Sequence, residues 1–165
     1  MPTVERIQQL IQAYADGPRR LEAAVAGVSE EELNFKPAPE HWSIRENVIH
    51  LVDADLVAAT RLRYVLAQPG ATLVSFDQNA WATALRYSSQ ALAPAVALFR
   101  AARESTADLL RRAPLEAWGY AGVNTQSGLQ TVEWIVEHFD QHLDGHLKTI
   151  AKRRQQRNES VGGRR

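Results

Sequence analysis

The stretch HFDQHLDGHLKTI, residues 138–150, decides how the rest of the chain is read. His138, His142 and His146 recur every fourth residue, so three of the chain's five histidines fall within nine positions. Residues four apart on an α-helix lie one turn apart on the same face, rotated by about 40°. Two imidazoles at that spacing can reach one ion together. They make half of a tetrahedral set, so another ligand has to come from elsewhere. His50 is the candidate, because WSIRENVIHLVDAD (residues 42–55) reads as a second long helix. Three successive turns drift by about 80° in all, which carries His138 away from an ion shared by the other two. His138 therefore reads as a neighbour of the site, packing against a ligand or hydrogen-bonded to one. The expected centre is a divalent metal on His50, His142 and His146 inside a helical bundle.

The residues around this stretch allow more than one environment for it. Glu137, Asp140 and Asp144 form either a solvated acidic face or the acceptors of imidazole N–H groups. His41 precedes the Trp42-Ser43 pair and reads as an exposed loop residue. Neither key helix carries a Glu-x-x-His motif, which argues against a di-iron carboxylate centre.

Helix signals surround both histidine segments. Ser43 is a good N-cap, and Glu46 at the third helical position completes a capping box. Trp42 just before the cap is placed to staple onto the first turns. Ile44, Val48, Leu51, Val52, Asp55 and Ala59 step along one side to about Leu66, before Gln68-Pro69-Gly70. Val4, Ile7, Leu10, Ile11 and Tyr14 mark an earlier helix that ends at Gly17-Pro18, with Leu21 and Val25 on a separate short piece. Ser29 and Glu32 form a second capping box. Ser88 or Ser89 can cap a third long helix with Pro94 in its first turn, and Leu92, Val96, Phe99, Thr106 and Leu110 on its apolar face. Residues 71–87 read as a loop with a short helix capped by Asp77, and residues 119–128 as a loop. No strand is expected. The spacing predicts helices over 44–66, 89–112 and 130–154, and the fold class is all-α, a four-helix bundle with irregular loops and short helices.

Composition narrows the function classes. A chain of 165 residues fits one domain with a real core. Zero net charge gives no support to nucleic-acid binding. Charge is uneven, with six Lys or Arg against one Glu from residue 151 onward. Residues 1–154 are thus expected to form the bundle, and 155–165 a basic, disordered tail. Without cysteine there are no disulfides, thiolate ligands or cysteine nucleophile. Glu5 and Arg6 stand where a signal peptide needs an apolar run, and no stretch is apolar enough to span a bilayer. A soluble, cytoplasmic protein without membrane or nucleic-acid partners is expected.

HWSIRENVIHLVDAD, SFDQNAWA and WIVEHFDQHLDGHLKTI, in this order and spacing, resemble the DinB-like superfamily and, within it, the YfiT-like proteins. The similarity runs to about Arg154. It implies a four-helix bundle with a divalent metal, typically nickel or zinc, on His50, His142 and His146. It also implies that His138 is not a ligand and that homodimers are frequent. Characterised members of such families include thiol S-transferases using bacillithiol or mycothiol. The expected function is thus a metal-dependent transferase that activates a low-molecular-weight thiol for attack on small electrophiles. Arg45, Arg61, Arg63 and Arg86 are candidates to bind the polar remainder of that thiol. A metal-dependent hydrolase and a non-enzymatic, damage-inducible metal-binding protein are the alternatives. A bundle whose histidines hold no metal is the last.

Overall fold

The computed structural model describes residues 2–162. Four long helices carry the fold: α1 (Val4–Val25), α3 (Ile44–Ala67), α5 (Leu92–Arg112) and α6 (Val132–Gly162). Two short helices, α2 (Glu30–Asn34) and α4 (Gln78–Ala84), lie in the connections. α3 packs on α5 and α6, and α1 packs on the same two, so α1 and α3 are diagonal partners. No helix among the described residues is long and apolar enough to cross a membrane.

Local chemistry sets most helix starts where the sequence places them. Ser43 accepts from the Glu46 amide at 3.2 Å and Glu46 accepts from the Ser43 amide at 2.8 Å, closing the capping box of α3. Ser29 and Glu32 do the same for α2, and the Asp77 carboxylate caps α4. Ser43→Ala is expected to cost on the order of 1 kcal/mol, read from urea unfolding. A Glu46→Gln variant should lose less, since Gln can still accept at the cap.

Five expectations are corrected by the structure. First, Gly17-Pro18 does not end α1, which runs on to Val25. A helical proline leaves the carbonyl four residues back without its N–H donor. Here that carbonyl belongs to Tyr14, and Arg103 of α5 donates Nη1 to it at 3.2 Å. Gly17 makes the approach possible, since a Cβ there would lie 2.3 Å from Arg103 Nη1. The pair is a port for a guanidinium.

Second, three short strands occupy segments read as loop or helix start: β1 (Thr72–Leu73), β2 (Ala121–Asn124) and β3 (Gly128–Thr131). β1 pairs parallel to β2, and β2 antiparallel to β3. Gly122 permits this closeness, because a Cβ would stand 2.8 Å from the Ala71 carbonyl oxygen. Third, β3 fills the expected start of the last helix, so α6 begins at Val132, where the Thr131 hydroxyl accepts from the Trp134 amide at 3.1 Å. Fourth, Ser88 and Ser89 lie in a 3₁₀ turn and α5 begins at Leu92, with Pro94 in its first turn.

Fifth, residues 155–162 are helical, continuing α6 beyond Arg154. Basic residues on both sides of Arg154 and Arg154 itself have partners on the body of the protein. Arg153 Nε donates to the Trp42 carbonyl at 3.0 Å, Arg154 Nη1 to that of Ala24 at 3.3 Å, and Arg157 pairs with Glu31 at 2.7 Å. Residues 163–165 of the expected tail lie outside the described residues.

The interior holds two apolar clusters. One gathers Tyr14, Leu62, Trp118 and Ile135; the other gathers Leu21, Ile44, Phe99 and Leu143. Arg103, fully buried, lies between them with its guanidinium 4.2 Å from the Tyr14 ring and 4.8 Å from that of Phe99. It pairs with Asp55 of α3 at 3.1 Å and donates Nη2 to the Phe139 carbonyl of α6 at 3.0 Å. One side chain thus ties α1, α3 and α6 to α5.

Candidate metal centre

α3 and α6 run side by side, and His50 faces the gap from α3. His142 and His146, one turn apart, face it from α6. One nitrogen from each ring lies within 4.8 Å of the others. Nε2 of His50 and Nε2 of His142 approach to 3.2 Å, and the three ring centroids are 4.6–5.1 Å apart.

Asn47, one turn before His50, sets the third ring. Its Oδ1 lies 2.8 Å from His146 Nδ1, so a proton on Nδ1 is donated to Asn47 and Nε2 is left with a free lone pair. The Asn47 amide group donates to the Ser43 carbonyl at 2.8 Å, which fixes which end of the side chain faces the imidazole. The acidic neighbours on α6 do not take that role. Glu137 pairs with Arg6, and Asp140 and Asp144 pair with Arg20 of α1. These carboxylates tie α6 to α1.

His138 stands outside the group of three. Its ring stacks on Trp134 at 4.4 Å and 10°, and its centroid is 6.4 Å from that of His142. His41 is exposed, with its Nδ1 3.6 Å from Glu40.

Electrostatics keep the three imidazoles neutral. Burial, then the neighbouring His146, pushes His50 down to about 4. Burial and the other histidines push His142 down to about 3. Burial lowers His146 as well. Neutral imidazole is the form that ligates, so all three are ready at pH 7 without losing a proton. Nδ1 of His50 is buried without a hydrogen-bond partner, while its other nitrogen faces the group. Three converging neutral nitrogens fit a divalent transition ion with coordination positions left open.

Aromatic rings wall the centre. Trp42 lies 4.9 Å from His50, rather than only stapling the start of α3, and Phe76 lies 6.3 Å from it on another side. Phe76 in turn packs 4.5 Å from Trp81 of α4. These two line a cleft of about 600 Å³ between α3, β1 and α4. A smaller cleft of about 390 Å³ reaches His146 itself, beside Asn47, Thr149 and Arg153.

The sequence pattern defining the DinB superfamily matches residues 13–150, a span holding all three histidines. The chain belongs to the DinB superfamily. A protein of Geobacillus thermodenitrificans named "putative metal-dependent hydrolase" is 29% identical over 106 residues, 64% of this chain and 60% of that one. One of the same description from Oceanobacillus iheyensis is 31% identical over 80 residues, 48% of this chain and 46% of that protein. The chain matches about half the length of these curated relatives. Among solved structures, YfiT from Bacillus subtilis superposes with a TM-score of 0.89 at 18% identity, covering 96% of this chain and 91% of that one. It is described as "a probable metal-dependent hydrolase with an unusual four-helix bundle topology". The likeness shows a shared four-helix-bundle fold.

Proposed function

We propose that this chain is a metal-dependent enzyme in which His50, His142 and His146 hold a divalent ion, nickel or zinc. We propose further that the centre activates a low-molecular-weight thiol for attack on a small electrophile. The supporting observation is the convergence of three neutral imidazoles next to an aromatic-walled cleft. Bound there, such an ion would supply Lewis acidity, lowering the pKa of a thiol or a water at its open positions.

The chain's own residues supply orientation and exclusion of water. Asn47 holds the proton of His146 on Nδ1. Trp42 and Phe76 cover His50, and Phe76 with Trp81 offers an apolar wall to the electrophile. The protein has no cysteine, so a sulfur nucleophile arrives as a cosubstrate. Among the described residues no carboxylate is hydrogen-bonded to the three imidazoles. The α3 acids flanking His50 are engaged elsewhere: Glu46 by Ser43 and Lys36, and Asp53 by the Tyr87 hydroxyl at 2.5 Å. A thiol acidified by coordination needs no such base. Hydrolysis is the second reading, favoured by the names of the relatives; there water takes the place of the thiol.

The test is conjugation of 1-chloro-2,4-dinitrobenzene with bacillithiol, mycothiol and glutathione in turn. Activity is expected only with metal and one of the thiols together, falling by about a hundredfold or more in metal-stripped protein. Thiol-independent hydrolysis of 4-nitrophenyl acetate by the metal-loaded protein, with no conjugation, would replace transfer by hydrolysis.

A further inference from the structure

Four arginines among the described residues are buried: Arg45, Arg61, Arg103 and Arg153. Arg45 pairs with Glu30, Arg103 pairs with Asp55, and Arg153 donates to the Trp42 carbonyl and Gln156. Arg61, only 9% exposed, differs from them. Its Nη2 donates to the Val74 carbonyl at 2.8 Å, and its Nε is buried without a partner. Burial alone lowers its pKa, with no acid opposing that effect. Leaving a cationic donor dry and unpaired is unfavourable unless another acceptor joins it.

Arg61 lines the cleft of about 600 Å³ together with Leu56, Val57, Phe76 and Trp81. Its surroundings give the cleft a direction. Asp53 lies on the same lining, eight residues earlier and thus roughly 12 Å away along α3. An anion is repelled from that end and drawn to the guanidinium. Arg61 lies eleven residues past His50 on α3, roughly 16 Å along the helix, so the guanidinium marks the end of the cleft away from the metal centre.

We propose that Arg61 is the anion-recognising residue of this cleft, and that the small molecule acted on beside the three histidines is an organic carboxylate with an apolar, aromatic-sized body. The planar guanidinium has N–H donors left to match two carboxylate oxygens. Phe76 and Trp81 cover the body, and Phe76 leads toward His50. This identification of the substrate class rests on the metal-centre reading given above.

The test compares 4-phenylbutyrate with its uncharged amide, 4-phenylbutyramide, by calorimetry on the full chain, with and without one equivalent of zinc. The acid is expected to bind about tenfold or more tighter than the amide, with the preference lost in Arg61→Met and partly restored in Arg61→Lys. Circular dichroism of both variants checks that the fold is kept. Binding of neither probe, equal binding of both, or a preference unchanged in Arg61→Met would overturn the proposal. Acid preference in zinc-free protein supports the anion site even if thiol transfer fails. Conversely, conjugation that is the same for neutral and carboxylate electrophiles would sink the anion site and leave transfer standing.

Discussion

His142→Ala is expected to abolish stoichiometric binding of a divalent ion, and His146→Ala to do the same. Each variant leaves two imidazoles, and those two come from different helices and no longer close a set. His138→Ala should retain one ion per chain, weakened by no more than about tenfold. That ring stacks on Trp134 and makes no hydrogen bond to the three histidines. Asn47→Ala belongs between these limits, at about ten- to a hundredfold. Without its Oδ1, the His146 proton can move to Nε2, the nitrogen needed as donor. Isothermal titration and plasma emission on purified variants measure both affinity and stoichiometry. One ion retained in His142→Ala, or complete loss in His138→Ala, would mean that the ligands are misassigned.

What sequence revealed and what it concealed divide along physical lines. The histidine row was legible because ligand spacing on a helix is a local property of i and i+4. Ser43 with Glu46 and Ser29 with Glu32 were legible for the same reason, each box closing within one turn. Pro18 was misread because its effect depends on a distant residue. A proline inside a helix is tolerated once Arg103, 85 residues later, satisfies the orphaned Tyr14 carbonyl. The strands were missed because two to four residues are too few to show an alternating pattern. Asn47 is not legible as the partner of His146, because carboxylates are common acceptors for imidazole N–H groups, yet those on α6 pair with Arg6 and Arg20. Arg103 sits on the apolar stripe of α5 between Phe99 and Thr106, and Asp55 on that of α3, opposite charges on two core faces.

That pair carries the second large effect. Arg103→Met is expected to destabilise the fold by about 3–5 kcal/mol near pH 8, because it leaves the Asp55 carboxylate buried without its cation. The guanidinium's contacts with Tyr14 and Phe99 and its bonds to the Tyr14 and Phe139 carbonyls go at the same time. A double variant, Arg103→Met with Asp55→Leu, should cost less than the single one, since two apolar side chains leave no charge to solvate. The pH dependence follows from Asp55. Burial raises its pKa from 3.8 to about 6 even with Arg103 opposing the shift. Between those values the folded state keeps a proton that the unfolded chain has released, so the contribution to stability falls as pH rises. Removing Arg103 removes the opposing charge, so the carboxyl stays protonated to a higher pH in the variant. The deficit of Arg103→Met should therefore be smaller at pH 5, where Asp55 is neutral, than at pH 8, where folding must bury an unpaired anion or hold a proton on it. Urea unfolding of wild type, single and double variants at both pH values gives the comparison. An equal deficit at pH 5 and pH 8, with the double variant no better than the single, would show that Arg103 acts by packing rather than by charge.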